Sequence, residues 1–141
     1  MGSFAPLFDW ARMEAPGVED LERLAHAAYS ALPDTFRNLC DGLIIRVADL
    51  PDEEVLDDLG LESEFDLLGL FTGIGLAHRG ETWTGAMPNM IFLYRRPILD
   101  YWAEHEETLG AVVTHVLVHE IGHHFGLSDG DMEAIELAAG P

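Results

Sequence analysis

The chain has no lysine. Its 141 residues carry seven basic side chains, all arginine, against 26 Asp and Glu, for a formal net charge of −19. A nucleic-acid binder needs a basic face and an anchor on an anionic membrane needs a polybasic patch, and neither is present. Cysteine is almost absent too: Cys40 alone can form no intramolecular disulfide and no thiolate zinc knuckle. Its apolar neighbours Leu39 and Leu43 predict a buried, inert thiol. No apolar run approaches the ~20 residues of a membrane span. The first 16 residues show no basic segment ahead of an apolar run, so no secretory signal is visible. These absences predict a cytoplasmic protein with no nucleic-acid and no membrane partner; they leave the oligomeric state open.

What is present is enough to fold. At 48% hydrophobic and 9% aromatic, a chain of this length reads as one domain with a core. Residues 1–16, with Pro6, Pro16 and scattered aromatics, read as an irregular N-terminal arm, and 17–139 as the domain. Leu21, Leu24, Ala25, Ala28 and Leu32 recur at helical spacing from Val18 until Pro33 ends the run. Short apolar segments at 42–48, 67–73 and 90–95 predict three strands. The glycines of the second suggest a bulge or a sheet edge. Between the first two strands, residues 49–66 hold nine acids and no base, which reads as a solvated, partly helical linker. A turn-rich stretch covers 73–89. Helices are expected from about Ile98 to His105, from near Glu107 onward, and from about Asp131 to Leu137, the last capped by Ser128 or Asp129. The order predicts an α+β domain, a small sheet with helices against it.

The chemistry is concentrated in one helix. His119-Glu120-x-x-His123 is a zinc-binding pattern. Residues at i and i+4 lie one turn apart on one helix face, so both imidazoles can reach a single ion. Glu120, one residue on, points beside the ion and can take a proton from a water held there, as a general base. Chance produces the five-residue pattern in roughly 3% of such chains, and adding Gly126 and Asp129 lowers this to roughly 0.03%. Gly126 can stop the helix and reverse the chain, after which Asp129 can return as a third, carboxylate ligand. Two imidazoles and a carboxylate leave a fourth position open for water, the arrangement of a catalytic zinc site. Asp129 could instead only cap the last helix.

Several neighbours compete for roles. His115 stands four residues before His119, but Val116 then occupies the base position and Phe125 that of the third ligand. His115 therefore reads as a supporting or core residue. His124 could orient Glu120, stabilise a tetrahedral intermediate or simply pack. His26, His78 and His105 carry no motif. The helix is otherwise apolar (Leu109, Val112, Val113, Val116, Leu117, Val118, Ile121) and so is expected to be buried. A charged Glu120 there would be costly, and a nearby dication offsets that cost.

With the segments Ala31-Leu32-Pro33-Asp34, Leu67-Leu68-Gly69-Leu70-Phe71, Ile91-Phe92-Leu93-Tyr94-Arg95-Arg96-Pro97 and Val118 to Gly126, the chain resembles the small, acidic bacterial zincin-like metallopeptidases with the signature HExxHxxGxxD. The resemblance implies a minimal zincin-like fold: a small mixed sheet against a buried active-site helix and two to three further helices. It also implies one Zn2+ per chain on His119, His123 and Asp129, with Glu120 as base. The function expected is zinc-dependent hydrolysis of a peptide bond by metal-activated water, on a peptide or unstructured protein. Glu133 or Glu136 as third ligand is a variant of that reading. A metal-stabilised binding or regulatory module with little turnover is the alternative from another class. The extended substrate would pair with a sheet edge at 67–72 or 90–95, and Tyr94, Arg95, Tyr101 and His124 are the candidates to stabilise an oxyanion. The acidic stretch, if near the groove, would favour basic peptides.

Overall fold

In the computed structural model, residues 9–73 and 89–140 are described. The first half of the N-terminal arm and most of the 73–89 stretch, His78 included, lie outside them. The remainder of the arm, before Val18, makes one exposed 3-10 turn over Trp10–Arg12.

Helix α1 (Val18–Ser30) begins where Gly17 N–H donates to the Asp20 carboxylate at 2.7 Å. That bond holds the Asp20 carboxyl below its usual range, and the acidic first turn complements the helix dipole. Leu21 and Ala25, one turn apart, are fully buried. A one-turn helix, α2 (Asp34–Arg37), follows Pro33 and buries Phe36. Cys40 is buried as expected, with its sulfur 3.2 Å from the Tyr29 hydroxyl. Strand β1 spans Ile44–Ala48, and the acidic linker contains α3 (Glu53–Leu59), closed by Gly60 in the left-handed region at φ +69°.

Strands β2 (Gly69–Thr72) and β3 (Met90–Tyr94) complete a three-stranded sheet of order β1-β3-β2. Strand β3 runs parallel to β1 (Ile45 opposite Ile91) and antiparallel to β2 (Phe71 opposite Ile91). The sheet is small and mixed, as the resemblance implies. The expectation that 90–95 could offer a free edge is corrected here, because β3 is hydrogen-bonded on both sides. Strand order is a long-range property that no local pattern carries.

Helix α4 (Arg95–Glu104) starts directly at the end of β3. The expected start at Ile98 was too late: Pro97 lies in the first turn, where its missing N–H is no loss. Arg95 fixes this junction, donating to the Pro16 carbonyl at 2.5 Å and to Asp49 at 3.2 Å. Helix α5 (Leu109–His124) is capped by the Thr108 hydroxyl, and α6 (Asp129–Ala139) by Ser128 in a reciprocal capping box with Asp131. Helix α5 packs on α1, α4, α6 and the β2–β3 side of the sheet. Val112, Val113, Val116, Leu117, Val118 and Ile121 of α5 are buried against Leu21, Ile91 and Leu93, making it the middle of the core. Each such side chain contributes about 1.5–3 kcal/mol by leaving water. No described helix is long and apolar enough to cross a membrane.

Candidate metal centre

The end of α5 decides where the site forms. Gly126 adopts φ +76°, and Leu127 N–H bonds back to the Gly122 carbonyl at 2.9 Å. This is a Schellman turn, and its left-handed residue has to be glycine or pay steric strain. The turn sends α6 back along α5. Close packing fixes the crossing: a Cβ on Gly122 would lie 2.5 Å from Met132 Sδ. Beyond Met132, the next turn of α6 carries Glu136 alongside His115 and His119.

Three donor atoms converge there. His115, His119 and Glu136 each offer one within 4.8 Å of the others. Glu136 Oε1 lies 2.7 Å from His115 Nδ1 and 3.8 Å from His119 Nε2. That oxygen is buried, and neither contact has hydrogen-bond geometry. His119 and His123 stand edge to face with ring centroids 5.6 Å apart, and His115 and His119 lie closer, at 3.9 Å. His123 and Asp129 are exposed, Asp129 being the first residue of α6. Asp129 is near enough to act on the charge of His119, but both it and His123 lie outside the 4.8 Å group, so of the three ligands expected from the motif only His119 belongs to it. Glu133 is exposed on α6. Sequence reading passed over His115 as a ligand and kept Glu136 only as a variant. The signal available was the three-histidine ladder 115/119/123 at i, i+4 spacing.

Glu120 and His119 open into a groove of about 210 Å³, whose walls include Asp66, Leu67, Leu68, Tyr101 and His115. The first residue of β2 lies against this helix face: a Cβ on Gly69 would come 2.7 Å from Val116 Cγ1 and 3.4 Å from Glu120 Cγ. Burial pushes the Glu120 carboxyl above its usual range, with His123 acting in the opposite direction. Burial, joined by the nearby His115, lowers the pKa of His119 and keeps its ring neutral, the form that binds a metal.

Of the four oxyanion candidates, Tyr101 lines the groove, its ring stacked on His105 at 3.8 Å. Tyr94 is buried in the core, where desolvation raises its pKa. Arg95 is tied to Pro16 and Asp49. The His124 ring packs on Phe71 at 4.3 Å, which supports its packing role.

The family model for zincin-like metallopeptidases matches residues 40–139. No curated protein matches the chain significantly. Zinc, which that family implies, fits the donors present. Imidazole nitrogens and carboxylate oxygens are its usual ligands, and the buried Oε1 of Glu136, which makes no hydrogen bond, could be satisfied by a cation. The donor atoms that converge are those of His115, His119 and Glu136, while the His119 and His123 rings stand 5.6 Å apart, edge to face.

Proposed function

We propose, from the premise that the chain belongs to the zincin-like metallopeptidases, that it hydrolyses peptide bonds with zinc held by His119, His123 and Asp129 and with Glu120 as general base. The observation that carries this reading is the shared groove: His119 and Glu120 face the same cavity beside the start of β2. When bound, zinc lowers the pKa of water towards about 7 and polarises a carbonyl.

The chain's residues supply the rest. Glu120 takes the proton of the attacking water and returns it to the leaving amine. Its burial suits that role, because a carboxylate of raised pKa is a stronger base. Gly69 lets β2 approach α5 closely enough for an extended peptide along this strand to lie over Glu120. Among the described residues β2 is paired only with β3, and its other side offers backbone groups to a substrate. Tyr101 lines the groove, which supports it among the four candidates as the donor to the substrate carbonyl.

Elemental analysis of the purified chain, with zinc supplied, tests the metal. One zinc per chain is expected, lost on combining His119→Ala with His123→Ala; a zinc-free wild type refutes the reading. Glu120→Gln should keep the zinc and lower hydrolysis of a peptide library by about 10²–10⁴-fold. A zinc-loaded wild type that cleaves no member of the library would instead make the chain a metal-stabilised binding module.

A further inference from the structure

The site as read from the motif leaves two residues unexplained, His115 and Glu136. They approach each other from α5 and α6. Each also approaches His119, by ring contact at 3.9 Å and by Oε1 to Nε2 at 3.8 Å. Two donors on one tetrahedral ion, at bond lengths of about 2.0–2.2 Å, are about 3.3–3.5 Å apart. The gap between Glu136 and His119 exceeds that by about 0.4 Å, which a small rotation of the glutamate side chain closes. By contrast, Oε1 lies only 2.7 Å from His115 Nδ1, so the imidazole limits where the carboxylate can sit. A neighbouring histidine that steadies a coordinating carboxylate is a common supporting arrangement around metals.

We infer that Glu136, steadied by His115, is an additional ligand to the ion held by His119, closing the site in its resting state. The inference rests on the reading of the site as a zinc centre. With His119, His123, Asp129 and Glu136 as donors, a tetrahedral ion has no position left for water. Opening the site requires the Glu136 carboxylate to move away. Space for that movement lies beside it: His115 and Glu136 form part of the wall of a second cavity, about 390 Å³, between α1, α5 and α6. Small residues (Ala28, Ala31, Gly110, Ala111) leave it roomy. The peptidase site is then latent until Glu136 withdraws.

The test compares wild type, Glu136→Gln and Glu136→Asp as full chains. The Asp variant keeps the charge and shortens the reach by one methylene. Zinc affinity is measured against a competing chelator. Access to the open position is measured by acetohydroxamate titration of the cobalt-substituted protein, read from its visible absorption. Both variants should bind zinc about tenfold or more weakly and acetohydroxamate about tenfold or more tightly; His115→Ala should shift both in the same directions, by less. Circular dichroism checks folding, and if the Gln variant does not fold, Glu136→Asp and His115→Ala carry the comparison. Unchanged zinc and hydroxamate affinities in variants of a zinc-loaded wild type overturn the inference and leave the proposed function standing. Weaker zinc binding with no gain in hydroxamate affinity also overturns it, making Glu136 an orienting group only. A wild type that binds no zinc or cobalt overturns both.

Discussion

Gly122→Ala tests whether the contact between α5 and α6 positions the metal donors. Gly122 lies inside the motif, one residue before His123, and faces α6. An added Cβ would stand 2.5 Å from Met132 Sδ and 2.8 Å from its Cγ. Ordinary contact lies near 3.5–4.0 Å, so the two helices must separate by about 1 Å or the methionine must repack. Met132 is fully buried and two of its atoms are involved, so swinging the chain end aside is not enough. Overpacking of this kind costs about 1–3 kcal/mol, and replacing a helical glycine by alanine returns about 1 kcal/mol. The net expectation is a loss of about 0–2 kcal/mol. The more telling effect is on the metal, since a 1 Å displacement of α6 carries Asp129 and Glu136 away from His119. Urea denaturation of the metal-free chains and zinc competition titrations should be run on Gly122→Ala, Met132→Ala and the double variant. Met132→Ala alone should cost about 2–5 kcal/mol. In that background Gly122→Ala should become neutral or stabilising, a coupling of about 1–3 kcal/mol. If Gly122→Ala stabilises the otherwise unaltered chain by about 1 kcal/mol and leaves zinc affinity unchanged, the helix contact does not position the donors and the reasoning fails.

Gly69→Ala should cost about 1–3 kcal/mol in urea denaturation and raise KM for peptides more than it lowers kcat, because the new methyl presses on Val116 and on the Phe92 carbonyl and lifts β2 from the groove. An unchanged KM would remove β2 from substrate binding. Stability should also fall in alkali. Burial raises the pKa of Cys40 above the usual 9.0 and that of Tyr29 above 10.0, so the folded chain keeps protons that the unfolded chain releases. This contribution is complete below about pH 9 and declines as pH rises, by at most about 1.4 kcal/mol per pH unit for each group. Urea midpoints at pH 8 and 10.5 measure it, and Cys40→Ala should remove the earliest part; equal midpoints would contradict it. Finally, Asp66 brings the end of the acidic stretch to the groove wall. Peptides rich in Lys or Arg should be preferred, and the preference should weaken between 50 and ~500 mM salt; a salt-independent profile argues against this steering.

The features legible in the sequence were those written within one turn or one face. The spacing of Leu21, Leu24, Ala25 and Ala28 marks α1, which ends at Ser30 rather than at Leu32, and Ser128, one of two cap candidates, caps α6, because caps and amphipathic faces are local. The motif was legible for the same reason: His119, Glu120 and His123 share two turns of a single helix. A one-turn helix such as α2 is too short to show a period, and the proline that opens the first turn of α4 looks like a stop when only the chain order is read. The central position of β3 depends on pairings with segments more than 15 residues away, which apolar content alone does not reveal. The approach of Glu136 to His115 and His119 depends on the direction that the Gly126 turn gives to α6. The glycine itself could be read as a helix stop, but the return path is set by the fit of Met132 into the gap at Gly122.

Helices α5 and α6 contribute to the site under different physical conditions. The first is the middle of the core, where amide exchange is expected to be slowest. The second has one fully buried side chain, Met132, with Ile135 and Ala139 packed more loosely on the core, and it follows a glycine turn. On the proposed reading, the ion takes its histidines from α5 and its carboxylates from α6, so loosening of α6 alone would remove the carboxylates and leave the histidines in place. Stiffening the turn should then lengthen the residence of the ion more than the lifetime of the fold.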